Sequence, residues 1–318
     1  MSPRASIVFH ADDLGMSPEV DDGIVLAFEQ GLLTSTAVLA NGPSAAEGLS
    51  RVQRASQRWC DHELPDATLR QAAGDARLPF DLGVHLNLTQ GRPLTEGNYP
   101  DELLDAAGCF PGAGRLFAAV VAKGRRLAPA IEHELAAQIV FALDHGVRPT
   151  HINGHQYIEL YPHVAQIVLR LIERFCIPVV RSAIERDLRH TTLRSRGAAA
   201  WALAHVKRFF AIRFGRQLRL RSIGHADGYF GTAHAGHVTY HALRQRVDAA
   251  NQETLLEVGI HPGAAAPVLI GELRAADGWH DPLAALRPRE CQLLCSARLA
   301  DLLAVHCLRL GRLASRAT

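Results

Sequence analysis

No apolar run in the 318 residues approaches the roughly 20 needed to cross a bilayer, so a helical membrane protein is excluded. Aromatic residues amount to only 6% and the net charge to only +2, which argues against nucleic acid or acidic membranes as general partners. The few apolar residues between Met1–Arg4 and His10 are too short a stretch for a signal peptide, and a soluble, cytoplasmic protein is expected. Cysteines are few and scattered, at positions 60, 109, 176, 291, 295 and 307. Cys291, Cys295 and His306 match no structural-zinc spacing, so reduced core thiols are favoured. Internal repeats and low-complexity linkers are also absent. What is present is ordinary globular composition, 48% hydrophobic and 21% charged, sufficient for one large α/β domain.

Along the chain, short β-branched runs alternate with segments of helical period. Strands are predicted at Ser6–His10, Ser35–Leu39, Asp81–His85, Thr150–Asn153, Val179–Arg181 and Leu255–Ile260. Helices are predicted at Pro18–Glu29, capped by Ser17, then at 45–56, in the stretch leading to His145, at Val164–Phe175, and at Leu299–Leu310 before Gly311. Residues 57–79 are polar and irregular and read as an excursion from the core. One domain is expected over 1–313, with 314–318 a frayed tail. The alternation predicts a mainly parallel α/β sheet or barrel.

Residues able to hold a metal recur directly after the predicted strands: Asp12 and Asp13, then His85, then His151 and His155, then His261. In parallel α/β folds the C-terminal strand ends gather on one face, where active sites form. Singly, each residue has a plain structural reading: Asp12–Asp13 as a turn and helix-start charge, His85 as a satisfied core histidine, His261 as a strand end. Their joint recurrence favours chemistry. One carboxylate and two neutral imidazoles make a divalent-metal site with room for water; a second carboxylate can take that water's proton, and an opposed histidine can protonate a leaving amine. Those are the parts an amide hydrolase needs.

The motifs resemble those of the YdjC-type (ChbG/HpnK) carbohydrate deacetylases. The resemblance runs through Ala11-Asp12-Asp13-Leu14-Gly15, then Gly31 with Thr34-Ser35 ahead of Asn41-Gly42, then Gly83-Val84-His85-Leu86-Asn87-Leu88-Thr89. It continues through Pro149-Thr150-His151-Ile152-Asn153-Gly154-His155 and Glu257-Val258-Gly259-Ile260-His261-Pro262, in the family's order over residues 11–262. It implies a distorted TIM-like (β/α) barrel and a hydrolase that removes an N-acetyl group from an amino sugar, either an oligosaccharide or a lipid-linked conjugate such as a hopanoid glycoside. It further implies Asp13, His85 and His155 as ligands of Mg2+ or Zn2+, Asp12 as general base and His261 as general acid. Arg181 is expected to orient Asp12 or contact substrate, with a structural ion pair as the alternative. His151, Asn87, Glu257 and Tyr157 are expected to touch substrate or support the ligands. Many relatives carry a run of histidines after the position of His155, whereas Gln156, Tyr157 and Glu159 stand here. A non-catalytic sugar binder on the same fold, or a metal-dependent hydrolase of another bond such as a phosphoester, are the alternatives.

The segment Trp201–Arg221 places Leu203, Val206, Phe210 and Phe214 at helical spacing beside Lys207, Arg208, Arg213 and Arg216. A packed helix with a solvated basic face is the plainer reading. A peripheral membrane contact, or contact with the lipid of a glycolipid substrate, is the sharper one. The same segment leaves a homodimer open.

Overall fold

The computed structural model describes residues 5–63, 69–70, 73–75, 77–185, 192–248, 254–265 and 278–317. The strands are β1 (Ser6–Leu14), β2 (Ser35–Val38), β3 (Asp81–Leu86), β4 (His151–Gly154), β5 (Val179–Val180), β6 (Gly228–Phe230), β7 (Leu255–Ile260) and β8 (Arg309–Leu310). They form one sheet in the order β5-β4-β3-β2-β1-β7-β6, with β8 also on β1 and every pairing parallel. A bridge from Val179 to Gly224 links the two outer strands' neighbourhoods, so the sheet curls into a half-barrel. β1 and β7 are buried almost throughout, as strands covered on both faces must be.

Helices α1 (Pro18–Gln30), α2 (Ala45–Cys60), α3 (Ala113–Asp144), α4 (Val164–Phe175), α5 (Thr192–Leu220), α6 (Tyr240–Asp248), α7 (Arg287–Leu294) and α8 (Ala297–Val305) surround the sheet. Local chemistry explains their limits. Ser17 accepts the Val20 amide and Pro18 opens the first turn of α1. In α4, Val164, Ile167, Val168, Leu171 and Ile172 form the inward stripe, and Cys176 ends it in a left-handed conformation at φ 53°.

Three expectations are revised. The closing helix stops at Val305, and Arg309–Leu310 turns back as β8 beside Ser6 and Ile7. β2 pairs with β1 only from His10 onward, so the first residues of β1 have an open edge that β8 fills. Of the tail expected to fray at 314–318, residues 314–316 join Leu313 in a short 3-10 turn, Leu313–Arg316, whose Leu313 and Ala314 amides donate to Asp81 and whose Arg316 pairs with Asp227, while Thr318 lies outside the described residues. Finally, α2 runs on through Cys60 into the expected excursion at 57–79, of which 64–68, 71–72 and 76 lie outside the described residues. Within it Arg70 is fully buried, with its guanidinium near the rings of Trp59 and Phe80 at 5.1 and 4.9 Å and donating to the carbonyls of Phe28 and Leu33. Arg70 therefore packs beneath the N-terminal ends of β2 and β3, at the end of the sheet opposite the polar residues.

Candidate metal centre

Side chains of a strand alternate between its faces, so His10 and Asp12 of β1 point the same way and Asp13 should point the other. It does not, because the pairing of β1 with β2 slips between Ala11 and Leu14 and Asp13 takes φ 72°. The irregularity re-aims Asp13, as bulges near functional sites do. Two consecutive carboxylates thus reach one cluster, and both are buried.

Asp13 meets His85 from the end of β3 and His155, which follows β4. Asp13 Oδ1 stands 3.0 Å from His155 Nδ1 and 3.5 Å from His85 Nε2, and one donor atom from each of the three residues lies within 4.8 Å of the others. The neighbours prepare these donors. Asn153 Oδ1 lies 2.9 Å from His85 Nδ1, so this nitrogen carries the proton and Nε2 keeps its lone pair on the side of Asp13. Arg287 Nη2 donates to Asp13 Oδ2 at 2.7 Å and leaves Oδ1 for the histidines. Burial pushes the Asp13 carboxyl up, but Arg287, His155 and His85 outweigh it and hold it well below the usual carboxylate range. An ionised carboxylate and two imidazoles converging on one point fit a divalent cation, and two such ligands on an ion at about 2.1 Å would lie up to about 4.2 Å apart.

Asp12 sits beside this triad in a different setting. Its Oδ1 accepts from Asn153 Nδ2 at 2.8 Å, and its Oδ2 accepts from Arg181 Nη1 at 2.8 Å. Burial raises its pKa, but Arg181 first, then His85 and His10, overcome that and keep it ionised. Arg181, just past β5, donates through Nε to Glu257 of β7 at 2.7 Å and stands 5.0 Å over the Tyr229 ring. Arg181 and Glu257 therefore form a buried chain behind Asp12. His261, after β7, places Nε2 at 3.7 Å from Asp12 Oδ2. Its backbone N–H donates to Glu290 Oε2 at 2.6 Å, while its Nδ1 is 3.7 Å from the same oxygen, so Glu290 acts on the ring through charge. Burial lowers the His261 pKa, and Glu290, Asp13 and Asp12 more than offset it, for a net rise.

The remaining expected residues divide by position. His151 lies under the site: its ring meets His10 edge-on at 4.7 Å, and burial, with His10 and Arg181, keeps it neutral. Gly83 makes room for it, since a Cβ there would fall 2.4 Å from His151 Nε2. Asn87 spends its side chain on its own loop, accepting from the Thr89 and Gln90 amides and donating to Asn41. Its bonds brace the loop that carries Gln90, whose Nε2 is 3.3 Å from His155 Nε2. Tyr157 has φ 64° and reaches Tyr229 hydroxyl to hydroxyl at 3.2 Å, on the Arg181 side of the site. Sequence reasoning missed His10, Gln90, Asn153, Arg287 and Glu290. The first three stood in or beside the motifs and could have been found by strand alternation and loop position; the last two come from α7, where no spacing ties them to the rest.

A family model described as YdjC-like protein matches residues 6–305. The human carbohydrate deacetylase is 30% identical over 270 residues, 82% of this chain and 76% of that one. Its mouse counterpart is 31% identical, over 65% of this chain and 57% of its own length. The carbohydrate deacetylase of Geobacillus stearothermophilus is 36% identical over 57% of this chain and 62% of its own. The chain thus spans about three fifths of the last two relatives. A crystal structure from Enterococcus faecalis V583, provisionally described as a cellobiose-phosphate cleavage protein, superposes with a TM-score of 0.71 at 19% identity, over 99% of this chain and 100% of that one, and so shares the fold.

Proposed function

The chain belongs to the YdjC-like family, and on that premise we propose that it hydrolyses the acetamide of an N-acetylated amino sugar, alone or linked to a lipid. The observation that carries the reading is the meeting of Asp13, His85 and His155 with Asp12 and His261 beside them, 3.7 Å from each other, all at one end of the sheet. That the human and Geobacillus stearothermophilus relatives are named carbohydrate deacetylases supports the substrate class. A divalent ion held by Asp13, His85 and His155, either Mg2+ or Zn2+, would supply Lewis acidity toward the acetamide carbonyl and acidify the attacking water.

The chain's own groups do the rest. Asp12, ionised and fixed from both sides by Arg181 and Asn153, takes the proton of the attacking water. Glu290 and the aspartates raise the His261 pKa, which favours the protonated ring, and its Nε2 delivers a proton to the amine as the C–N bond breaks. Acetate and the free amino sugar result. Arg181 and Glu257 position Asp12; Asn153 sets the tautomer of His85. Tyr157 and Tyr229 pack on the Arg181 side of the site. Six free thiols support a reducing, cytoplasmic setting.

The test is acetate release from a panel of soluble and lipid-linked N-acetylated amino sugars, with chelator and with each metal restored. Release that chelator stops and metal restores is expected, with Asp12→Asn slower by about 10²–10⁴-fold. A folded, metal-loaded protein inert across the panel would point to a sugar binder or to hydrolysis of another bond. Full turnover by Asp12→Asn would remove the base assignment.

A further inference from the structure

Helix α5 contains no aspartate or glutamate in 29 residues. Its inner face is formed by Ala204, Ala211, Phe214 and Leu218, all buried. Phe214, read from sequence as part of an apolar stripe with Leu203 and Val206, belongs to this inner face. Two of the basic residues are also used inward: Lys207 stacks on Tyr157 at 4.4 Å, and Arg208 donates to the Glu185 carbonyl. The outer face is unusual. Leu203, Val206, Phe209, Ile212 and Leu220 are between 41% and 70% exposed, although they are large and apolar. At 100° per residue, Val206, Phe209, Ile212, Arg213, Arg216 and Leu220 fall within about one third of the helix circumference. Arg213 lies against the Phe209 ring at 5.9 Å, and Arg213, Arg216 and Arg219 are exposed.

We propose that this outer face of α5 docks the protein on an anionic lipid surface. Apolar side chains alternating with arginines, and no carboxylate among them, match a headgroup layer: the apolar groups enter the acyl boundary while the guanidiniums reach the phosphates. The same charge disfavours pairing with a second copy, because two such faces would oppose arginine to arginine. Through Lys207, Tyr157 and Tyr229, α5 adjoins the Arg181 side of the metal centre. If the proposed deacetylation also holds, docking would bring a lipid-linked amino sugar close to the Arg181 side of the site. The docking itself does not depend on that reaction.

The experiment is co-sedimentation with vesicles of phosphatidylcholine alone or with one third phosphatidylglycerol, for the full chain. Binding to the anionic vesicles, weakened by salt, is expected, with affinity falling roughly five-fold for each arginine replaced in Arg213→Gln, Arg216→Gln and Arg219→Gln. The pair Phe209→Ser and Ile212→Ser should abolish retention, with the far-UV circular dichroism and the activity on a soluble substrate unchanged. No retention of the wild type, equal retention on both vesicle types, or full retention of the double serine variant would overturn the proposal. So would a wild-type dimer in sedimentation velocity that the double serine variant dissolves, since the face would then belong to a second copy. An inert enzyme that still binds these vesicles would sink the reaction and leave the docking intact.

Discussion

Replacing Arg181 by methionine would strand two buried carboxylates. The guanidinium is 1% exposed and bonds Asp12 at 2.8 Å and Glu257 at 2.7 Å. Removing one partner of a buried ion pair costs about 3–5 kcal/mol, and because Asp12 keeps its bond from Asn153, about 4 kcal/mol is the working figure for the loss. For a chain of this length the unfolding entropy is roughly 0.7 kcal/mol per degree, so the melting temperature should fall by about 6 °C. The loss should depend on pH in a definite direction. The folded pKa of Asp12 is depressed, so its ionisation stabilises the wild type above the unfolded value of about 4, and that contribution fades as pH falls below it. In Arg181→Met, burial acts on Asp12 without its principal opposing charge and the carboxyl rises. The gap between variant and wild type should therefore be widest near neutrality and narrow toward pH 4. Urea unfolding followed by circular dichroism across that range is the assay. Arg181→Lys should fall between the two, because one ammonium cannot reproduce a fork that bonds Asp12 and Glu257 from separate nitrogens. A melting shift under about 2 °C at neutral pH, or a gap unchanged by acid, would refute the argument that charge pairing at Arg181 holds this part of the barrel.

The double variant His85→Ala with His155→Ala should lose bound metal in equilibrium dialysis; wild-type metal content would remove the proposed ligand set. Glu290→Gln takes away a charge that raises His261, so the alkaline limb of the rate profile should move to lower pH, and an active variant with an unmoved limb would separate Glu290 from the acid. Gly83→Ala would force a Cβ to 2.4 Å from His151 Nε2, whose ring is already backed by His10. A destabilisation of about 1–3 kcal/mol in the urea midpoint is expected, and an unchanged midpoint would show that His151 can yield.

The parallel α/β architecture could be read from β-branched runs that end in Asp, His and Arg, because strands covered on both faces are apolar through most of their length and turn polar chiefly where they end. That is why Asp12, Asp13, His85, His155 and His261 were legible together. Asp13 itself was legible only as a residue type. Strict alternation would have turned it away from Asp12, and no glycine marks the irregularity that brings it back. Arg287 and Glu290 were invisible for another reason: Arg287 acts on Asp13 across 274 positions and Glu290 on His261 across 29, from a helix whose own periodicity says nothing about either partner. The closing helix was over-extended because Leu308 and Leu310 continue a helical spacing equally well as they fill a strand position, and only the open edge of β1 decides between them. The apolar stripe of α5 was assigned from spacing alone, which places residues on a face but cannot say which face meets the protein.

The donors of the proposed metal centre come from the ends of β1 and β3 and from the residue following β4, and Asp13 and His155 are separated by 142 positions. An unfolded chain would hold such groups far apart, so an ion of this kind can be bound tightly only after the central strands have assembled. Ion uptake then reports completion of the sheet. By mass action, a free ion at one hundred times its dissociation constant would shift the unfolding equilibrium by about 2.7 kcal/mol toward the native state. Starvation for the ion would accordingly shorten the lifetime of the folded protein as well as silence its chemistry.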